Sequence, residues 1–159
     1  MTFDSRDFRT ALGCFATGVT VVTTLDAERQ PVGVTVNSFT SVSLAPPLVL
    51  FCLGRTAQSV AAFEATGAFA VNMLADDQQE LSLRFASRER ADRWNGVAWE
   101  SWDTGCPILT GSLAILECDR EAVHDGGDHL ILVGRVRRLA SRTDGKPLLY
   151  FRGAYGTVA

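Results

Sequence analysis

The sequence predicts a mainly β protein, a closed or nearly closed antiparallel barrel with short helices plugging its ends and flanking it. Three observations carry this expectation. Six or more stretches of the 159-residue chain read as strands by alternation or β-branched content, most are joined by turn-forming residues, and only two or three helical patterns lie between them. That arrangement excludes repeating βαβ units. At 47% hydrophobic, the chain is sized for one domain, 1–159, with a substantial core, and no repeat, low-complexity tract or linker divides it.

Taken in order, Asp4 or Ser5 is placed to cap a first helix in which Phe8, Ala11, Leu12 and Phe15 follow helical spacing, with Gly18 positioned to end it. One face of this helix is expected to pack on the sheet. Residues 19–25 (VTVVTTL) read as a β-branched strand, 26–31 (DAERQP) as a turn, and 32–37 as a second strand antiparallel to the first. The stretch 33–53, GVTVNSFTSVSLAPPLVLFCL, organises the rest: an alternating strand, a loop of small hydroxyl residues around Phe39, and an apolar strand over 48–53. It brings Thr35, Asn37, Ser38, Thr40, Ser41 and Ser43 to one place almost without charge, which suits a neutral, planar, hydrogen-bonding ligand.

After Gly54, Arg55 and Thr56, a helix is predicted over 57–65 with Val60 and Phe63 inward, Thr56 as N-cap and Gly67 closing it. Its free N–H groups and Arg55 would meet beside the hydroxyl-rich loop and favour an anion. An ordinary capped surface helix with a solvated arginine is the alternative. Residues 68–74 (AFAVNML) read as a strand with Asn72 polar among apolar neighbours, and Asp77 with Glu80 makes a capping-box pattern for a helix through Leu81, Leu83 and Phe85. Segment 87–92 (SRERAD) is charged and expected to be exposed. Trp94, Trp99 and Trp102, with Gly96 and Gly105, mark an irregular connection suited to a flap or a subunit contact. The two longest strands, 112–123 and 129–139, flank a hairpin turn, HDGGD (124–128), and a further turn at 143–146 precedes 147–151 and the tail RGAYGTVA.

The net charge is −3 and Arg135, Arg137 and Arg138 alternate along a strand, so nucleic acid is not an expected partner. The N-terminus carries acids where a signal peptide has a basic end, and no apolar run approaches the roughly 18 residues of a membrane span, which points to a soluble cytoplasmic protein. Cys14, Cys52, Cys106 and Cys118 form no CxxC pair and read as reduced, mostly buried thiols. No GxSxG, HExxH, P-loop or GxGxxG motif is present. His124 and His129 flank a turn whose Asp125 and Asp128 read as turn formers rather than metal ligands, and no cysteine has the setting of an activated thiolate. A redox cofactor fits this inventory, because the cofactor carries the hard chemistry. An isoalloxazine ring needs apolar walls and hydrogen-bonding groups at its edge, the mixture found over 35–43.

The ordered pieces FATGVTVVTT (15–24), GVTVNSFTSVSLAPPLVLF (33–51), the Ser59 helix after Cys52, FAVNML (69–74), RFAS (84–87), GDHLILVGRV (127–136) and PLLYFRGAYG (147–156) cover nearly the whole chain. In that order and spacing they resemble the short flavin reductases of two-component monooxygenases, which have the flavin-reductase-like, FMN-binding split-barrel fold. The resemblance implies that Thr35, Val36, Asn37, Ser38, Phe39, Ser41 and Val42 hold the flavin ring. Cys52, Leu53, Arg55, Thr56 and Ser59 would face the ribityl phosphate, and Arg84, Phe85, Ala86 and Ser87 would add further flavin contacts. His129, in the family's GDH position, is the implied catalytic residue, with Arg152 and Tyr155 of RGAYG on the same nicotinamide side. A strand-end imidazole and a packing aromatic are the alternatives at His129 and Tyr155. Family members often carry a bulkier or basic residue where Ala154 stands. The resemblance further implies FMN or FAD, NADH or NADPH as hydride donor, a homodimer, and reduced flavin passed to a separate oxygenase component. A non-catalytic flavin carrier or sensor of the same fold is the rival, opposed by GDH and RGAYG. A split barrel that has taken pyridoxal phosphate or haem is another, opposed by the lack of extra basic ligands or an axial histidine.

Overall fold

β-Branched and alternating runs become strands and the short amphipathic runs become helices, in a computed structural model that describes residues 2–88 and 92–159. In chain order the first elements are α1 (Ser5–Leu12), β1 (Thr17–Gly18), β2 (Thr20–Leu25), β3 (Pro31–Val36), β4 (Thr40–Leu44) and β5 (Pro47–Gly54). Next come α2 (Val60–Ala65), β6 (Ala68–Met73), a 3₁₀ turn (Asp76–Gln78), α3 (Gln79–Ala86), β7 (Trp99–Ser101) and β8 (Pro107–Leu109). The chain ends through β9 (Ala114–Gly126), β10 (His129–Ser141), β11 (Leu149–Phe151) and β12 (Ala154–Gly156).

The architecture is mainly β with few helices. Seven strands form one sheet in the order β3-β2-β6-β9-β10-β5-β4, with smaller sheets β1-β11-β12 and β7-β8. Its ladders are antiparallel, including the expected β2–β3 pair with Val22 opposite Val34. The edge strands β3 and β4 are neighbours in sequence yet lie at opposite ends of the sheet, and no ladder between them closes it. Both ends nevertheless feed one core: Val36 of β3 and Phe51 and Leu53 of β5 share it with Phe63, Phe69 and Leu132. Phe51 meets Phe63 and Phe69 edge-on at 5.5 and 5.2 Å, a favoured aromatic geometry. Ser38, in the connection between the edge strands, donates to the Cys52 carbonyl at 3.1 Å and accepts from its N–H at 2.9 Å.

Strand β2 is buried on every residue, and its threonines are tolerated there because each hydroxyl has a partner. Thr20 donates to the Val36 carbonyl and Thr24 to that of Ala68. Asn72 of β6, fully buried, donates to the Val21 carbonyl and Thr23 Oγ1 and accepts from the Leu109 N–H at 2.8 Å, tying β2, β6 and β8 together. Asn72→Leu orphans these groups; it is expected to cost about 3 kcal/mol. Thermal unfolding should fall by roughly 6–12 °C for a chain of this size, and a shift below about 2 °C would refute the tie.

Several local expectations are corrected. The α1 cap is Asp4, with a capping box from Asp7, but the helix stops at Gly13 and Gly18 lies in β1; no α1 residue is buried, so it does not pack on the sheet. The hydroxyl-rich loop contracts, since Thr40–Leu44 pairs with β5 as a strand. The helix expected from Ala57 starts at Val60 with Ser59 at its cap position, leaving Thr56 in a turn. Asp77 and Glu80 form no capping box; Gln78 accepts from the Ala75 N–H and opens a 3₁₀ turn instead. The tryptophan segment is partly regular, because β7 and β8 form a hairpin. Trp94 is half-buried and packs edge-on against Phe85 at 4.8 Å. Of 87–92, residues 89–91 lie outside the described residues. His124 and Asp125 extend β9, and the turn narrows to Gly127 and Asp128, with positive φ at Gly127 alone, as a type II′ hairpin requires.

Candidate functional site

The ends of β3 and β5, the turn before α2, the end of α3 and the β9–β10 hairpin meet around a cleft of about 340 Å³, within the usual range for small-molecule sites. From β3 and the following connection come Thr35, Val36, Asn37 and Ser38; from β5, Cys52 and Leu53, with Ser59 at the start of α2. The end of α3 brings Phe85, Ala86 and Ser87, and β10 brings His129. Val34, Gly54, Ala57, Gln58, Arg88 and Arg93 complete the lining and were not singled out by sequence reasoning. The signal for the two arginines was a dense basic cluster in an acidic chain, directly after a helix already assigned to the site.

The hydroxyls are largely committed to the backbone. Thr35 Oγ1 donates to the Ser82 carbonyl at 2.6 Å, fastening β3 to α3, and Ser38 is held by Cys52. Thr40 Oγ1 donates to the Ser41 carbonyl, and the Ser43 hydroxyl donates to that of Pro46. Among the described residues the Asn37 side chain has no hydrogen-bond partner, and it borders the cleft and three adjoining hollows. It is the free amide of the site, able to donate and accept.

Other expected residues fall outside the cleft. Phe39 packs on the core and lines a separate apolar hollow, while Ser41 and Val42 are exposed on β4. Arg55 does not line the cleft: its Nε donates to the Gly127 carbonyl at 3.0 Å, its Nη2 pairs with Asp125, and its own N–H donates to the Asp128 carbonyl. It braces the hairpin tip that carries His129. Thr56 accepts from Arg88 Nη2 at 3.3 Å, and Gln58 accepts from Arg93 at 3.4 Å, which places both cations on the 56–59 turn. Arg84 donates to the Asn95 carbonyl at 2.7 Å, and its buried Nε has no partner among the described residues. Tyr155 hydrogen-bonds Ser82 at 2.7 Å in a hollow it shares with Thr35 and Asn37. Arg152 lines a concavity beside α1.

His129 sits opposite Gly54, and its Nδ1 lies 2.7 Å from Asp128 Oδ1. The Asp128 carboxyl is held below its usual range, first by the hydrogen bond from His129 and then by its charge. Asp128 is therefore an acceptor, Nδ1 carries a proton, and Nε2 is the ring nitrogen left for a ligand. Because the folded value is the lower one, this pairing is present above the ordinary carboxylate range and is lost as pH falls through the depressed value. All four cysteines are free; Cys14 is exposed, Cys52 is half-buried, and Cys106 and Cys118 are buried. Burial raises the Cys106 thiol and pushes Cys118 up to about 12, so neither is a ready nucleophile. Among the described residues no cluster of His, Cys, Asp or Glu suits a metal ion, and no helix is long and apolar enough to cross a membrane.

The cleft is ring-sized, with apolar and hydroxyl-bearing walls and two arginines, Arg88 and Arg93, in its lining. The chain belongs to the flavin reductase-like domain family, whose pattern matches residues 12–159. It is 51% identical to the reductase subunit HsaB of a flavin-dependent monooxygenase from Rhodococcus jostii, over 96% of this chain and 77% of that protein. It is 50% identical to FMN reductase (NADH) SmoA of Agrobacterium fabrum, over 96% and 86%. The solved structure of a nitrilotriacetate monooxygenase component B homologue from Mycobacterium thermoresistibile superposes with a TM-score of 0.94 at 46% identity, covering 98% of this chain and 87% of that one.

Proposed function

We propose that this chain, as one split-barrel domain over 1–159, is a cytoplasmic NAD(P)H:flavin oxidoreductase that reduces FMN or FAD and supplies the reduced flavin to a separate monooxygenase. The observation that carries the reading is the cleft itself. Apolar walls from Val34, Leu53, Ala57 and Ala86, the free Asn37 amide, and Arg88 with Arg93 beside the α2 turn match a ring with two apolar faces, a polar edge and a phosphate tail. When bound, the flavin supplies the hydride-accepting ring. The chain's part is to hold that ring and the nicotinamide in register, which is where proximity and orientation act. His129, its Nδ1 proton held by Asp128, presents Nε2 as an acceptor for an amide N–H of the nicotinamide. Arg55 holds the hairpin so that His129 stays opposite Gly54.

Aerobic oxidation of NADH and of NADPH, with and without FMN, FAD or riboflavin, tests the reading. Oxidation dependent on added flavin is expected; flavin binding without oxidation of either nicotinamide would leave a carrier or sensor. His129→Ala is expected to raise the apparent KM for the nicotinamide, or lower kcat, about tenfold while flavin affinity stays near normal. Unchanged steady-state kinetics for both substrates would remove the role.

The same reading includes a homodimer, with a different contact from the tryptophan segment. Phe8, Leu12 and Phe15 on and after α1, and Leu44 on the edge strand β4, are 52%, 56%, 77% and 93% exposed, apolar surface of the kind subunits cover. Sedimentation at micromolar concentration is expected to give a dimer that Leu44→Glu weakens. A monomeric parent protein would remove the assembly.

A further inference from the structure

Three arginines gather outside the cleft. Arg6 and Arg9 of α1 and Arg152 of the β11–β12 turn line one concavity of about 720 Å³. Among the described residues no carboxylate lines it, although the chain as a whole is acidic. Among the described residues the Arg6 and Arg9 guanidinium groups have no hydrogen bond or ion pair. Like charges on a folded surface repel, and the one carboxylate among the described residues that feels this group, Asp128, feels only Arg9 and only weakly, so the grouping favours a bound anion.

The turn carrying Arg152 adds a second observation. Phe151 pairs with Ala154, leaving a two-residue loop in which Arg152 has φ 49° and Gly153 φ 80°. Positive φ at both positions is the type I′ turn, which favours asparagine, aspartate or glycine at the first of them; an arginine there is sterically disfavoured. Its guanidinium lies 5.1 Å from the centre of the Phe151 ring and 3.9 Å from Cys14 Sγ, neither of them an anion, and strain of this sort collects at ligand sites. The Arg152 N–H donates to the Gly13 carbonyl at 2.9 Å, which fixes the end of α1 against the turn and holds the three guanidinium-bearing residues on one preformed surface.

The concavity also adjoins the cleft through a hollow that borders both. A hollow between them shares Arg9, Gly13, Arg152 and Gly153 with the first and Asn37 and Ser38 with the second. A long anionic ligand can therefore have one end at His129 and the other among the arginines.

We infer that Arg6, Arg9 and Arg152 bind the phosphates of the adenosine half of the nicotinamide dinucleotide. The identity of the ligand rests on the reductase reading; the anion-binding character of the surface does not. The phosphate concerned is the pyrophosphate, common to NADH and NADPH, or the 2′-phosphate of NADPH.

Titration calorimetry with ADP-ribose and with 2′,5′-ADP is the test, because it needs no turnover. Both probes are expected to bind the unmodified protein, and the double variant Arg6→Gln/Arg9→Gln to bind at least about tenfold more weakly. Loss for both probes assigns the adenosine-side phosphate of the pyrophosphate, which both carry at the 5′ position; loss for ADP-ribose alone assigns the outer phosphate of the pyrophosphate, and loss for 2′,5′-ADP alone assigns the 2′-phosphate. Arg152→Asn, which suits the turn, separates charge from folding: weaker probe binding without a fall in melting temperature is expected. In kinetics, the ratio of kcat/KM for NADH to that for reduced nicotinamide mononucleotide should fall in the double variant. Failure of the unmodified protein to bind either probe, or equal affinity in the variants, overturns the site even if NADH is oxidised. Probe binding that the variants lose, in a protein that oxidises no nicotinamide, keeps the site and removes the reductase reading instead.

Discussion

Gly134→Val is expected to abolish the soluble folded protein, and Gly134→Ala to destabilise it severely. A Cβ at this position would overlap Phe69 Cζ and stand 2.9 Å from both Cys118 Cβ and Phe69 Cε1. Phe69 and Cys118 are 1% and 0% exposed, and Phe69 is wedged edge-on against Phe51, so neither can retreat into solvent. The register of the β9–β10 ladder shifts between Val133 and Gly134, which leaves Phe69 room against bare backbone. Overpacking of this kind costs more than about 3 kcal/mol, a large part of the roughly 5–15 kcal/mol that holds a domain together. Gly67→Ala, where an added Cβ meets nothing within 4 Å, is the control. Soluble yield and melting temperature read the result; near-normal melting of Gly134→Ala would mean that the core there is loosely packed.

The second large effect belongs to the cation pair. The double variant Arg88→Ala/Arg93→Ala is expected to raise the KM for FMN about thirtyfold or more, since each charge-assisted hydrogen bond to phosphate contributes about 2 kcal/mol. Riboflavin, which lacks the phosphate, should respond little, and added salt should narrow the difference between the two flavins. Arg55→Ala should leave FMN affinity closer to normal, because Arg55 is spent on the hairpin carbonyl and Asp125. Equal losses for FMN and riboflavin in the double variant would show that the pair supports the cleft's shape rather than the phosphate.

Arg55 illustrates what sequence could and could not reveal. The strands and their antiparallel pairing follow from periodicity and turn chemistry, which are local; that the end of α3 and His129 join β3 and β5 at one cleft was implied by the resemblance to the short flavin reductases and not by local pattern. The direction of a long side chain is not local. Arg55 has a choice of partners far away in sequence, and the hairpin carrying Asp125 and Gly127, 70 and 72 residues on, wins it. Thr56 and Ser59 are equally good caps by composition, and the helix starts at Val60 because the preceding residues turn first. Phe8, Leu12 and Phe15 have the spacing of a core-facing stripe, but the stripe faces away from this chain's core. Sequence reports that a face is apolar and not which molecule covers it. The hydroxyls of 35–43 were visible as donors, whereas their commitment to Ser82, Cys52 and Pro46 depends on contacts that exist only in the folded chain.

The strand order has a consequence for how the protein is made. β4 and β5 can form a hairpin as soon as they leave the ribosome, and so can β2 and β3. The hairpins are joined within the sheet only through β6, β9 and β10, and Phe51 of β5 finds its ladder partner at Leu132, much later in synthesis. Until then β5 offers an apolar, unpaired edge to any other nascent chain, the setting in which strands pair wrongly and aggregate. Non-local pairing of this kind is also slow. Slower synthesis at lower temperature, or a chaperone that shields 47–54 until β10 arrives, should therefore improve recovery of this protein more than any substitution on its finished surface.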